Sequence, residues 1–243
     1  MGRQVNFKIG IIGCGLTGYK RSKSLGSKGK LVACADLNIN RAKKIALNKK
    51  IKVFTDWKKL LDIKEIDIVI IATPHDQLSK ILLHAYKKKI HILVEKPGSK
   101  NLKEIIKIIS KVKNTKIKIR VGFNHRYHPS IIKAEEIIKS GIIGKPMYLR
   151  ARYGHGGRLG YEKEWRAKPS ISGGGELIDQ GSHLIDLSRL FLGEFNEAKG
   201  FINTYFWKMQ VEDNAFLTLK TKSNKVAFLH VSWTEWKNIF SFE

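Results

Sequence analysis

At 243 residues and 42% hydrophobic, the chain can bury the core of one large domain or two modest ones. It has no uninterrupted apolar segment of bilayer-spanning length and no signal-peptide core or cleavage site near its N-terminus, which argues against membrane insertion and export and for a cytoplasmic protein. The formal charge of +25 raises nucleic acid as a partner, but 36 Lys stand against only 10 Arg, and 29 basic against 8 acidic residues fall before residue 122, so solvated lysine-rich helix faces are expected instead.

Residues 7–18 set the frame. The apolar run Phe7, Ile9, Ile11 and Ile12 leads straight into Gly13-Cys14-Gly15-Leu16-Thr17-Gly18, the order of strand, tight turn and helix. Glycine at the first position allows the turn, at the second lets backbone approach a pyrophosphate, and at the third packs helix on strand. Phosphate would then sit on the helix N-terminus. A second apolar run, residues 31–35, ends at Asp36, where a carboxylate can hold ribose hydroxyls and repel a 2′-phosphate. NAD is therefore the expected cofactor, with Arg41 and nearby lysines leaving NADP open. Cys14 and Cys34, on adjacent predicted strands, read as small apolar residues, so neither a disulfide nor a metal site is expected.

Short apolar runs then alternate with segments of helical period, the pattern of a doubly wound parallel sheet. A helix is expected around residues 41–47, a strand at 52–54, and Asp56 as N-cap of a helix holding Trp57, Leu60 and Leu61. A nearly pure apolar strand, residues 67–72, ends at Thr73-Pro74-His75, with Asp76 expected to cap the next helix. Ligands of such sheets bind at the carboxyl ends of strands, which makes Thr73, Pro74 and His75 candidate cofactor contacts; a plain proline turn is the alternative. A fifth strand, residues 90–94, delivers Glu95-Lys96-Pro97 to the same edge. There Lys96 can polarise a hydroxyl or do proton work, or it can be a turn lysine paired with Glu95. After a helix at 102–112, a sixth strand at 117–123 closes the sheet and runs into Asn124-His125-Arg126-Tyr127-His128-Pro129.

In the second half, residues 147–153 alternate as a strand and 154–160 form a loop. Trp165-Arg166 offer a flat apolar face and an anion fork, or else a core aromatic and a surface ion pair. Residues 176–192 read as an amphipathic helix with Leu177, Ile178, Leu184, Ile185, Leu187, Leu190 and Leu192 in its apolar set. Asp179, His183 and Asp186 project together from its other side. Residues 197–207, 214–221 and 226–233 read as strands of a mostly antiparallel sheet, joined by polar turns such as 222–225.

These residues resemble the glucose-fructose oxidoreductase and inositol dehydrogenase family, Gfo/Idh/MocA. The match runs through the glycine turn, Asp36, Thr73-Pro74, Glu95-Lys96-Pro97, Arg126 with Pro129, and Gly173-Gly174-Gly175-Glu176-Leu177-Ile178-Asp179-Gln180-Gly181-Ser182-His183-Leu184-Ile185-Asp186. The resemblance implies a Rossmann domain over residues 1–121 and an α+β substrate domain over 122–243. It implies an NAD(P)-dependent oxidoreductase that moves a hydride between a nicotinamide and a hydroxyl or keto carbon of a sugar, cyclitol or sugar nucleotide. It gives His183 the acid/base role, Lys96 the task of favouring the alkoxide, and Asp179 a neighbouring hydroxyl. It also implies Glu95 and Asn124 beside the cofactor, and Arg126, Tyr127, Trp165 and Arg166 beside the substrate. Two other readings stay open: an NAD-dependent glycosidase or lyase working by transient oxidation, and a non-catalytic nucleotide-binding sensor. Family members usually continue past the last strand seen here, so a truncated or short chain is expected, with homo-oligomers through the second sheet. Trp233, Trp236 and Phe240 are then expected to lack covering partners.

Overall fold

Six parallel strands build the first sheet of the computed structural model: β1 (Phe7–Ile12), β2 (Gly29–Ala35), β3 (Lys52–Phe54), β4 (Ile68–Ile71), β5 (His91–Val94) and β6 (Ile119–Val121), in the spatial order β3-β2-β1-β4-β5-β6. The structure describes residues 6–47, 50–112 and 115–243. They divide into two compact units that part between Gly122 and Phe123.

In the first unit the pleat sends alternate side chains to opposite faces, and each face has its own core. Ile9, Ile11, Cys34 and Ile70 pack with Ala42 and Ile45 of α2 (Ile39–Ala46). On the other face Ile12, Ala33, Ala35, Val69 and Ile71 pack with Leu60 and Leu61 of α3 (Trp57–Leu61) and with Leu78, Ile81 and Leu82 of α4 (His75–Lys87). Buried apolar residues on both faces are what a parallel sheet covered by helices requires. Helices α1 (Leu16–Lys23) and α5 (Leu102–Lys111) complete the unit. Asp56 caps α3 as expected, its carboxylate accepting from the Lys58 backbone at 2.9 Å. Asp76 does not cap α4: Pro74 occupies the N-cap in an extended conformation, His75 is the first helical residue, and Asp76 lies in the first turn. Strands β4, β5 and β6 are shorter than the apolar runs that signal them. The runs continue into edge loops where pairing has stopped.

The second unit holds a five-stranded sheet of β7 (Tyr148–Gly154), β8 (Phe195–Asn203), β9 (Asn214–Thr221), β10 (Val226–Ser232) and β11 (Ile239–Phe242), in the order β11-β7-β10-β9-β8. Only β7 and β10 run parallel. The inward residues Leu149, Ala151, Ala215, Leu219, Ala227, Leu229 and Val231 meet Leu184 and Leu192 of α8 (Ser182–Leu192). Two further helices, α6 (Pro129–Ser140) and the short α7 (Pro169–Ser172), lie earlier in this unit.

Three expectations are corrected here. The strand anticipated to reach residue 207 ends at Asn203, because the Asp213 carboxylate accepts the backbone N–H groups of Tyr205, Phe206 and Trp207 at 2.9, 2.9 and 3.0 Å and folds them into a loop. Burial alone would push the Asp213 carboxyl up, but these hydrogen bonds outweigh it and hold the group below its ordinary range. Trp233 does not lack partners: it is fully buried, against Tyr161 and Val211, whereas Trp236 is fully exposed. The helix expected at 176–192 is not uniform. A π-helical turn, Leu177–Gly181, precedes α8.

Candidate active site

One group of candidate residues lies at the carboxyl edge of the parallel sheet, where Gly13, Asp36, Thr73 and Glu95 follow β1, β2, β4 and β5. Gly13 has φ +88°, and a Cβ there would lie 2.4 Å from the Ala72 carbonyl oxygen, so only glycine makes this turn. A Cβ on Gly18 would lie 1.9 Å from the Gly13 oxygen, which is how closely α1 packs on the turn. At Gly15 a Cβ would meet nothing within 4 Å. The cradle is therefore closed at its first and third glycines and open at its second, beside the N-terminus of α1, which no side chain caps. Its unsatisfied N–H groups suit a pyrophosphate. Leu16 and Thr17 stand exposed there and Cys14 is buried beneath.

Asp36 ties the cradle together, with one carboxylate oxygen accepting from Cys14 N at 2.7 Å and the other from Asn38 N at 2.8 Å. Arg41 is exposed on α2. Thr73 Oγ1 is buried without a hydrogen-bond partner among the described residues, a donor and acceptor left over at the edge where a dinucleotide would lie. These features fit NAD. His75 is buried at the start of α4. Glu95 is buried too, and its partner is Arg21, whose Nε donates to it at 2.5 Å. Lys96 is half-buried in the following turn, before a cis peptide bond to Pro97.

A second group of candidate residues belongs to the other unit. Glu212 shapes it: its carboxylate accepts from Gly175 N at 3.0 Å and Leu177 N at 3.1 Å, while its carbonyl takes Glu176 N at 3.0 Å. A Cβ on Gly175 would lie 2.0 Å from that carbonyl oxygen, so the glycine run is what lets the helix start here. The π turn that follows carries Asp179, and the first turn of α8 carries His183; both are buried. Asp179 accepts from Arg166 Nε at 3.0 Å. Arg166 also reaches Glu164 at 3.4 Å and lies over the Trp165 ring, 4.6 Å from its centre. The guanidinium read as an anion fork is thus committed to two carboxylates and an indole.

Asn124, His125, Arg126 and Tyr127 share one 3-10 turn. Arg126 forms a two-pronged pair with buried Asp186 of α8, both contacts 2.6 Å, and this partner raises the guanidinium above its ordinary range. Asn124 and Tyr127 are exposed. His125 was passed over by sequence reasoning, yet its ring lies 4.1 Å from that of His183, centre to centre. Tyr153 was passed over as well. Strand alternation could have found it, since it follows inward-facing Leu149 and Ala151 at a spacing of two. Burial, with Asp179 and Glu176 nearby, pushes the Tyr153 hydroxyl up to about 12, so it is a neutral phenol. Glu164 and Glu212 carry no local sequence signal, because their partners are side chains and turns brought in by the fold.

Comparison with known proteins follows the same division. The signature described as "Oxidoreductase family, NAD-binding Rossmann fold" matches residues 7–123, and that of the "GFO/IDH/MocA C-terminal domain" matches residues 131–243. A levoglucosan dehydrogenase of Pseudarthrobacter phenanthrenivorans is 31% identical over 153 residues, 62% of this chain and 39% of the relative. The scyllo-inositol 2-dehydrogenase (NAD(+)) of Bacillus subtilis is 31% identical over 193 residues, 76% of this chain and 54% of the relative. Among solved structures, levoglucosan dehydrogenase in complex with NADH and levoglucosan superposes with a TM-score of 0.88 at 26% identity, covering 98% of this chain and 70% of that one. No helix among the described residues is long and apolar enough to cross a membrane. The chain belongs to the GFO/IDH/MocA family of oxidoreductases and carries its NAD-binding Rossmann domain.

Proposed function

We propose that this protein transfers a hydride between NAD and a hydroxyl or keto carbon of an uncharged sugar or cyclitol. The observation that carries the reading is a buried histidine, His183, one turn beyond a buried carboxylate, Asp179, on a glycine-entered helix of a chain with an NAD cradle. Bound NAD supplies the hydride acceptor. Oxidation of a secondary alcohol also requires removal of the hydroxyl proton, and His183 takes that proton. The role that the family resemblance gives Lys96 is to favour the alkoxide by supplying positive charge as negative charge develops. Asp179, fixed by Arg166, accepts from a neighbouring hydroxyl, and Trp165 and Tyr127 offer ring faces to the carbon skeleton. Arg126 acts through Asp186 by fixing α8, while Glu95 and Asn124, with His75 and Pro74, flank the cofactor.

The substrate class follows from the charges. All six arginines after residue 122, namely Arg126, Arg150, Arg152, Arg158, Arg166 and Arg189, are ion-paired with carboxylates. That leaves no guanidinium fork for a sugar acid or phosphate, which favours a neutral polyol. Relatives named for inositol and levoglucosan, both neutral and hydroxyl-rich, agree with this. Incubating the protein with NAD and panels of neutral polyols and of sugar acids tests it. Net NAD reduction with a neutral polyol is the expected result. Bond cleavage without net reduction would replace this reading with glycoside cleavage by transient oxidation, and cofactor binding without turnover on any panel would leave a sensor.

NAD should be preferred over NADP. Asp36→Ala is expected to move the ratio of NAD to NADP affinity by roughly tenfold or more toward NADP, the worth of a hydrogen bond to a charged group. Loosening of the glycine turn weakens both cofactors alike, so the ratio isolates the ribose contact; an unchanged ratio would remove Asp36 from it.

We also propose that copies associate through the outer face of the second sheet, where Tyr148, Phe201 and Phe228 are 64%, 80% and 51% exposed. An exposed apolar face of this kind favours a partner. Light scattering on the purified chain should give a mass above one protomer, and Phe201→Glu with Phe228→Glu should lower it to one. A monodisperse unmutated monomer contradicts the assignment. The cytoplasm, a reducing compartment, suits the two buried free thiols Cys14 and Cys34.

A further inference from the structure

We propose that Arg21 is a positioning residue for the reaction: through Glu95 it fixes the turn that presents Lys96, and it ties that turn to the helix whose N-terminus suits the pyrophosphate. The inference rests on the role given to Lys96. Glu95 follows β5 directly and is buried, so its carboxylate needs a cation within the fold. Lys96 is its neighbour in sequence. Among the described residues, however, the ion pair of Glu95 is with Arg21, 74 positions earlier, whose Nε donates to Oε1 at 2.5 Å. Arg21 lies in the last turn of α1, where an arginine can answer the helix dipole from solvent; instead its side chain turns inward and is only 24% exposed.

Three elements meet at this pair. Helix α1 supplies the guanidinium, the end of β5 the carboxylate, and Gly122, the residue after β6, the floor. A Cβ on Gly122 would lie 3.1 Å from both Arg21 Nη2 and Glu95 Oε2, so the two charged groups rest against bare backbone, and Gly122 N itself donates to Val94 O at 2.8 Å. The turn is held along its backbone too, with Glu95 N donating to Ile71 O of β4 and Gly98 N to Glu95 O, each at 2.9 Å. Glu95 is thus fixed by its amide, its carbonyl and its carboxylate, and Lys96 is the next residue. The carboxylate contact is the one that reaches the cofactor helix, for at 1.5 Å per residue Arg21 stands about 8 Å along α1 from Leu16. The backbone that cradles a pyrophosphate and the backbone that carries Lys96 are therefore joined by an ion pair, which sets one against the other. Arg21 also removes a competitor. Without it, a buried carboxylate one residue from the Lys96 ammonium would draw that charge toward itself.

Steady-state kinetics of the full chain, with NAD and the neutral polyol of the panel that reduces it fastest, test the role in a double-mutant cycle. Arg21→Gln should lower kcat by roughly tenfold or more, while NAD affinity from calorimetric titration stays within about threefold. Arg21→Lys, which keeps a cation opposite Glu95, should recover most of the loss. In a Lys96→Ala background Arg21→Gln should lower kcat no further, because the residue it positions is gone, whereas a general loosening of the fold would cost the same factor in both backgrounds. Should Arg21→Gln fail to fold for want of a partner to Glu95, Glu95→Gln breaks the pair without leaving a buried carboxylate, and Gly122→Ala crowds it with both charges kept; each should give the same pattern. Near-normal kcat in these variants beside a slow Lys96→Ala overturns the positioning role and leaves Lys96 in place, and so do losses that multiply in the double variant. Near-normal kcat in Lys96→Ala overturns the role of Lys96 and with it that of Arg21. An unmutated protein that oxidises no polyol removes the reaction itself, and the role falls with it.

Discussion

His183→Ala is expected to lower kcat by roughly a hundredfold or more while leaving NAD affinity nearly unchanged. The magnitude is that of losing a general base placed within reach of the hydroxyl it deprotonates. The selectivity follows from the division of labour, because the cradle of Gly13, Gly15, Gly18 and Asp36 belongs to the first unit and His183 to the second. His183 is buried among rings, so its removal also opens space and loosens the turn that carries His125. Thermal melting of the variant separates the two effects: a small fall in Tm alongside a large fall in kcat is the expected combination. Lys96→Ala should lower kcat as well, by about the hundredfold or more that an oxyanion donor contributes. Near-normal turnover in either variant would sink its assigned role.

How far the site was readable in the sequence depends on how local its causes are. The glycine cradle was legible because its demands are steric and act within a few residues: a positive φ at Gly13, a closed contact at Gly18, open space at Gly15. Asp36 was legible because it ends an apolar run at a fixed place in such a sheet. The second unit was less so. The π turn at Leu177–Gly181 depends on Glu212, 35 residues away along the chain, and the end of β8 on the Asp213 carboxylate. Trp233 reads as an exposed terminal aromatic until Tyr161 and Val211 are folded over it. Arg166 has the same history: in sequence it is an available fork, and in the structure Asp179 and Glu164 already occupy it. Glu212 for the π turn, Tyr161 and Val211 for Trp233, and Asp179 for Arg166 all lie outside the local window, and neither periodicity nor propensity registers such partners.

The glycine turn offers the sharpest test of the cofactor site, because its three glycines should fail in different ways. Gly18→Ala places a methyl group where the Gly13 carbonyl oxygen stands, 1.9 Å from the ideal Cβ, and that oxygen is backbone and cannot swing aside. The first unit should lose stability by about 1–3 kcal/mol, the usual cost of overpacking a tight contact, and NAD binding should fall with it. Gly13→Ala adds backbone strain at φ +88° to a clash with the Ala72 carbonyl, and should be worse. Gly15→Ala has neither problem, for its φ is −67° and its Cβ would point into open space. Its melting behaviour should stay within about 0.5 kcal/mol of the unmutated chain. The open space is nevertheless where a pyrophosphate must approach the backbone, so NAD affinity should fall by roughly tenfold or more, with no loss of fold to explain it. Calorimetric titration with NAD and thermal melting on the same three variants distinguish the outcomes. A Gly15→Ala variant that binds NAD as tightly as the unmutated protein would place the pyrophosphate somewhere other than the turn between β1 and α1.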